Sequence, residues 1–334
     1  MLPEISVVIP AYNRESLIGE TIRSLLCQSQ AAREIIVVDD GSTDGTARVA
    51  GQFGSPVRVI RCEHAGPSAA RNTGFWESRG EYIHFFDSDD VAVPNKHAVQ
   101  ARVLSESGAD IAYGPWVKVG LSGQSCVPVN AVYQQTGLPR GSLVKALLTD
   151  WSIVPQACLF RRELVEKVGG FPEDLSTLED QLFFLRCLLS GAQVRHSPGT
   201  LVLYRENNAD KISEAPGRKK ERCREWALFQ TKAGMACEHY GLEPWRWFGF
   251  RARAWAVARC VDTLNLQLEA DLKRYLDCLP SGGAWQYAVH DFAARRWSSV
   301  QQRLFNRRGG RSFCMGDLTP EQYRLIRSAG YSHS

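Results

Sequence analysis

The chain has 334 residues, 44% of them hydrophobic and 23% charged, with a formal net charge of +4. That balance belongs to an ordinary soluble globular protein, large enough for one big domain with an appendage or two modest ones, and it excludes a disordered or low-complexity chain. No stretch approaches the roughly 18 uninterrupted apolar residues of a membrane span, and the ten cysteines form no C-x-x-C pair, so reduced thiols are expected rather than a disulfide framework or a zinc site.

The opening MLPEISVVIPAYN lacks a basic flank and a long apolar core, so a cytoplasmic protein is expected, with any membrane contact peripheral. Ile5–Ile9, Glu34–Asp39, Val57–Cys62 and Glu81–Phe86 read as strands with too little alternation for a one-faced sheet, so both faces should be covered. Between them Leu17, Ile18, Ile22, Leu25 and Leu26 repeat at helical spacing, Thr46–Phe53 predicts a short helix, and Pro67 stands where a third helix begins. Alternation of this kind predicts a parallel sheet with right-handed crossovers, which binds ligands at the carboxyl ends of its strands. Those ends carry Pro10–Arg14, Asp39–Asp44, His64–Arg71 and Asp87–Asp90, so four polar segments should converge on one crevice.

Farther along, a helix is expected at Asn95–Glu106, a strand at Asp110–Tyr113, only weak strand signals up to Arg140, and a helix at Leu178–Ser190. After Tyr204 the chain reads as a loop through EAPGRKKER and then as a Trp- and Arg-rich helical region without a repeat. The net charge is −5 through Ala215 and +9 beyond it. The basic part is either a solvated helical face or a surface for acidic lipids or phosphorylated substrates. Trp245, Trp247, Trp255, Arg246, Arg251 and Arg253 accordingly supply either core and a dimer-forming surface or an interfacial patch beside lipid-linked acceptors.

FFDSDD places Asp87, Asp89 and Asp90 together without a counter-ion in the same stretch. Packed carboxylates raise one another's pKa unless a cation neutralises them, and a hard divalent ion with oxygen ligands is the direct solution. A solvated turn with Asp90 capping the next helix is the alternative. In EIIVVDDGSTDGT, Asp39 is placed to accept hydrogen bonds from a base or ribose, while Ser42, Thr43 and Asp44 suit helix caps. Arg71 either approaches a nucleotide or balances the acidic edge, and Tyr12 either offers a face on which a base can stack or is simple core. In STLEDQLFF, Ser176 and Glu179 have capping-box spacing. Asp180 has no such task and is either a general base for a hydroxyl or a favourable charge at a helix N-terminus. Strand alternation points His84 away from Asp87, as a hydrogen-bonded core histidine.

SVVIPAYNR, EIIVVDDGSTDGT, GPSAARNTG, FFDSDD and LEDQLFF, in that order, resemble the family 2 glycosyltransferases over about residues 5–213. The resemblance implies an α/β chain of the GT-A nucleotide-diphospho-sugar transferase fold, a mostly parallel twisted sheet with helices on both faces plus a C-terminal helical region. It implies a catalytic domain at 1–214, with a nucleotide-sugar half at about 1–115 and an acceptor half at about 116–214, and a mainly helical 215–334. The donor would be a nucleotide-sugar, commonly a UDP-sugar. Carried over, Pro10, Tyr12, Arg14, Asp39, Arg71, Asp87, Ser88 and Arg205 would bind it, Asp89 with Asp87 would hold Mn²⁺ or Mg²⁺, and Asp180, beside Glu179, would act as base in an inverting transfer. Asp90 leaves the metal ligand open between itself and Asp89.

The partners implied are the donor and a glycan, lipid-linked or small-molecule acceptor in cell-envelope polysaccharide or glycolipid synthesis, with a homodimer as a further expectation and no nucleic acid. Two departures stand out. Asn207 occupies the place of a frequent family histidine after Tyr204-Arg205, although Ser213 fits, and RRW at Arg295–Trp297 lacks the glutamine of the processive Q-x-x-R-W pattern, which favours single addition. A sugar nucleotidyltransferase would carry an N-terminal Gly-rich loop, and PAYNR is not one. A catalytically silent nucleotide-sugar-binding protein is the alternative outside enzymes.

Overall fold

The computed structural model describes residues 3–122, 125–128, 133–135, 137–149, 151–206, 219–264, 266, 313–315 and 320–333. Strand β1, Ile5–Ala11, is buried at every position. It lies between β2, Glu34–Asp40, and β4, Tyr82–Phe85, and is parallel to both. β3, Val57–Cys62, extends the same edge in parallel. The expected crossovers are present as α1, Ile18–Leu26, α2, Thr46–Gly51, and α3, Pro67–Trp76. Continuous Val and Ile runs form these strands because both faces are covered, and the β-branched side chains fill the pleats on each.

On the other side of β4 come β10, Cys158–Arg161, then β6, Ile111–Tyr113, and β11, Val194–His196, giving a seven-stranded sheet. Only β10 runs antiparallel to its neighbours. Helix α3 approaches this sheet closely because Gly74 carries no side chain. A Cβ there would lie 2.4 Å from Val8 Cγ1 and 3.0 Å from Val38 Cγ2. That approach carries Arg71, one turn earlier on α3, down to the strand ends.

The weak strand signals before Arg140 hide a second sheet. It contains β5, Val91–Ala92, β7, Trp116–Ser122, β8, Ser125–Pro128, β9, Tyr133–Gln135, and β12, Val202–Arg205. Short backbone segments from the C-terminal part, β13, Phe313–Met315, and β14, Ser332–His333, pair with β9 and β8. Most of these strands have two to four residues and are stabilised by partners far away in the sequence, so local pattern barely marks them. β5 starts one residue after Asp90 and hydrogen-bonds to β12, so the carboxylate run sits where the two sheets meet.

The helices expected from periodicity are α4, Lys96–Ser107, and α7, Glu179–Leu189. Asp90 does not cap α4, because Asn95 holds that place. Between them lie α5, Leu143–Thr149, and α6, Arg162–Val168. In the C-terminal part, α8 spans Lys219–His239, so the end of EAPGRKKER is helix rather than loop. α9 spans Phe248–Thr263 and α10 spans Pro320–Ser328. Trp245 and Trp247 pack, partly buried, against the main core. Arg246 pairs with Glu243 at 2.9 Å, and Arg251 Nη1 donates to the Trp245 carbonyl at 2.9 Å. Among the described residues the cysteines are free thiols, and no helix is long and apolar enough to cross a membrane. Asn207, Ser213 and Arg295–Trp297 lie outside the described residues.

His84 is a core histidine, as its place on β4 implies. Its Nδ1 lies 2.9 Å from His97 Nε2, and its Nε2 lies 3.1 Å from the Gln156 carbonyl. Burial first, and then the neighbouring Lys96, pushes His97 down to about 3. A histidine held neutral in the fold takes up a proton more readily when unfolded. Stability should therefore be complete above about pH 6.5 and fall as pH drops through the window from 6.5 to about 3. Urea titrations at several pH values should show a shallower slope for His97→Asn; an unchanged slope would assign the proton uptake to other groups.

Candidate active site

At the carboxyl ends of β1, β2 and β4 the strands stop and their loops open a cleft of about 310 Å³. The β1 loop contributes Pro10, Ala11, Tyr12 and Arg14, the β4 loop Asp87, Ser88 and Asp89, α3 contributes Pro67 and Arg71, and the turn into α7 contributes Ser176 to Asp180. Five carboxylates line it, from Asp40, Asp87, Asp89, Glu179 and Asp180, against two guanidinium groups, from Arg14 and Arg71.

Arg71 is the central cation. Its Nη2 donates to Asp87 Oδ1 and its Nη1 to Glu179 Oε1, both at 2.9 Å. Burial opposes the guanidinium charge, but Asp87 and Glu179 outweigh it and hold the group above its already high value. The capping box expected at Ser176 does not form. Leu178 is the residue before α7, at φ 64° and without a side-chain cap bond, and the Ser176 amide donates to Glu225 Oε2 at 2.9 Å. Glu179 is drawn away by Arg71, since a buried carboxylate gains more from a guanidinium than from a main-chain amide. A leucine in the left-handed region is strained, and the strain sits directly before the Glu179-Asp180 pair.

The turn before Leu178 is fixed from α3. Asn72 Nδ2 donates to the Phe171 carbonyl at 2.9 Å, and the Phe171 amide donates back to Asn72 Oδ1 at 2.8 Å. Among the described residues no cation pairs directly with Asp180; its Oδ1 accepts the Gln181 amide at 2.7 Å. Burial, followed by the adjacent Glu179 charge, lifts its pKa to about 7.

The three acids of FFDSDD have separate tasks. Asp87 faces Arg71. Asp89 lines the cleft with Arg14 Nε 3.8 Å away, and burial together with Asp87 raises its pKa. Asp90 turns inward, is 2% exposed, and has both oxygens engaged, by the Arg205 amide at 2.8 Å and Gln156 Nε2 at 2.6 Å. Arg205 is likewise set behind the cleft, donating from Nε to the Asp89 carbonyl at 2.8 Å. Its neighbour Tyr204 lines the cleft instead.

Asp39 is fully buried and holds the Ser42 amide and Arg61 Nε at 3.2 and 3.1 Å. Asp40 takes the place on the cleft wall. Its carboxylate accepts from the Ala65 and Gly66 amides at 2.8 and 3.0 Å and meets His64 Nδ1 at 2.9 Å. His64 stacks on Tyr12, ring centroids 4.2 Å apart. Asp40 and His64 belong to segments expected at the crevice but were given no role of their own, and Tyr204 was not expected there. The doubled acid at the end of β2 was a usable signal, because successive strand residues face opposite ways and only one of the two can meet the cleft.

A mostly parallel α/β sheet with an acidic cleft over its strand ends is the arrangement of the GT-A fold. The chain belongs to glycosyl transferase family 2, whose family model matches residues 6–169, and it is a glycosyltransferase. The uncharacterized glycosyltransferase EpsJ of Bacillus subtilis (strain 168) is 31% identical over 250 residues, covering 72% of each chain. Glycosyltransferase GlyG of Streptococcus pneumoniae serotype 4 is 38% identical over 224 residues, 61% of this chain and 71% of its own. In fold, the chain is similar to S. aureus TarS in complex with UDP-GlcNAc, with a TM-score of 0.57 at 22% identity over 83% of this chain and 82% of that one. It is also similar to the mannosyltransferase PcManGT of Pyrobaculum calidifontis in complex with GDP-Man and Mn²⁺, with a TM-score of 0.52 at 16% identity over 98% and 86% of the two chains.

Removing the cation shared by Asp87 and Glu179 strands two acids. Arg71→Met is expected to lower unfolding free energy by about 3 kcal/mol, and Arg71→Lys, which keeps a charge but not the forked geometry, by less. Denaturant melts check this, and equal midpoints for Arg71→Met and the parent would refute the bridging role.

Proposed function

We propose that this enzyme moves one sugar from a UDP-sugar to an acceptor hydroxyl with inversion at the anomeric carbon, using Asp180 as the base. The observation that carries the reading is the placement of Asp180, poised near neutrality, in the same cleft as Asp87, Ser88 and Asp89. Tyr12, stacked with His64, offers a flat face for a base, and Thr177, Leu178 and Tyr204 line the same cleft as Asp180. The ligands named with the two structural neighbours support a nucleotide-sugar donor.

The residues present fit a divalent metal, Mn²⁺ or Mg²⁺. The cleft has more carboxylates than cations, Asp89 is poorly neutralised, and a diphosphate could not approach such a wall unaided. Asp89 and Asp87 would hold the ion, while Asp90 has no free oxygen facing it. Among the described residues no three His, Cys, Asp or Glu side chains form a ready-made cage, which suits an ion that completes its shell with phosphate oxygens and water. Bound there, the metal supplies Lewis-acid stabilisation of the departing diphosphate.

The chain's own residues do the rest. Asp180 accepts the acceptor's hydroxyl proton, the freed oxygen bonds to the anomeric carbon from the face opposite the diphosphate, and the bond from that carbon to the diphosphate oxygen breaks. Arg71 keeps Glu179 and Asp87 in place and so sets the distance between base and donor. Arg14, on the cleft wall near Asp89, adds positive charge for the phosphates.

Calorimetry should show UDP binding more tightly with Mn²⁺ than without it; no metal effect would remove the bridged donor. Asp180→Asn should keep donor affinity and lose about 10²–10⁴-fold in transfer. A base must be deprotonated to work, so the parent's rate should climb as pH rises through about 7 and level off above it. Unchanged turnover in Asp180→Asn would move the base elsewhere.

A further inference from the structure

The carboxylate loop is held from behind by a relay that begins near the far end of the chain. Besides the bonds to Asp89 and Asp90, Arg205 Nη1 donates to the Leu121 carbonyl at 3.3 Å. Its Nη2 donates to one oxygen of Glu20 on α1, and the other oxygen of Glu20 accepts the Tyr331 hydroxyl. Arg205 and Tyr331 are 5% and 7% exposed. Tyr331 follows α10, and with Ile326 it packs into an apolar cluster containing Val91, Val93, Leu201 and Leu203, directly beneath the strand that leaves Asp90.

We propose that the C-terminal segment is a positioning element for the carboxylate loop, in which Tyr331 orients Glu20, Glu20 orients the Arg205 guanidinium, and that guanidinium sets the Asp89 main chain. The significance given to Asp89 rests on the function proposed above. The physical case is one of constraint. Arg205 spreads its donors over two carbonyls and a carboxylate, and of the three the Glu20 carboxylate is the charged partner that pulls on its far nitrogen. Glu20, partly exposed on one helix face, is held on both oxygens only because Tyr331 closes the second side. Charge-assisted hydrogen bonds are about twice as strong as neutral ones, so each link transmits orientation to the next. Tyr331 touches neither donor nor acceptor space, which makes it a positioning residue.

The test uses the full chain. Tyr331→Phe keeps the ring in the apolar cluster and removes only the hydroxyl. Arg327→Ala, at an exposed position on α10, is the control and should match the parent. Amide hydrogen exchange is followed over residues 86–93 and over β1 to β3, and UDP affinity is measured with Mn²⁺ present. Tyr331→Phe should exchange faster over 86–93 with β1 to β3 unchanged, and should bind UDP about three- to tenfold more weakly. Adding Glu20→Gln to it should cost less than the sum of the two single changes, since both cut the same relay. Parental exchange over 86–93 in Tyr331→Phe overturns the proposal. So does acceleration spread evenly over the protein, or strict additivity with Glu20→Gln. If the parent itself binds no UDP, the donor reading fails, and the exchange experiment alone still decides the relay.

Discussion

Asp87 ends a strand of the main sheet, Glu179 opens a helix more than ninety residues later, and Arg71 is buried between them. Two acids brought together at such a junction repel each other, and only a shared cation lets both pack there. A guanidinium resolves this where an ammonium would not, since its planar fork gives one donor edge to each acid. The geometry requires α3 to lie close on the sheet, and Gly74 is what permits it. Close packing of a helix and an electrostatic bridge are therefore one constraint seen at two scales.

The carboxylate loop depends on a second set of restraints. Gln156 and the Arg205 amide hold the Asp90 side chain, so the chain direction at the junction of the two sheets is set by an acid that never meets the cleft. Behind it the His84 and His97 pair carries the hydrogen bonding into the core through the Gln156 carbonyl. Buried polar networks of this kind tolerate little displacement, because a donor or acceptor left unpaired costs more than the bond contributes when made.

The first four strands and the helices between them are legible in the sequence because each is a run of local pattern, apolar on both faces or periodic on one. The second sheet is not. Val91–Ala92 and Val202–Arg205 acquire strand geometry from each other across a gap of more than a hundred residues, and no window of sequence contains both. The site divides in the same way. That Asp87 and Asp180 would meet follows from strand ends and helix starts. Asp89 and Asp90 look alike on paper, and only Gln156 and Arg205, folded in from elsewhere, separate a cleft residue from a tether. The same holds for Asp39, whose partner Arg61 lies directly opposite in the ladder of β2 and β3 and keeps it off the wall that Asp40 lines.

The poise of Asp180 follows from this arrangement. Asp87 and Glu179 each take one terminal nitrogen of Arg71, and among the described residues its Nε is left without a hydrogen-bond partner, while the acid next to Glu179 has the cation nearby but no bond to it. Burial, and after it the charge of the adjacent Glu179, lifts Asp180 to about 7. Leu178, with its left-handed backbone, stands directly before the pair, of which both acids line the cleft and the first is bonded to Arg71. A local conformational cost of roughly 1–3 kcal/mol thus accompanies a pair in which one carboxylate is bonded to a cation and the other is free to take a proton near neutral pH.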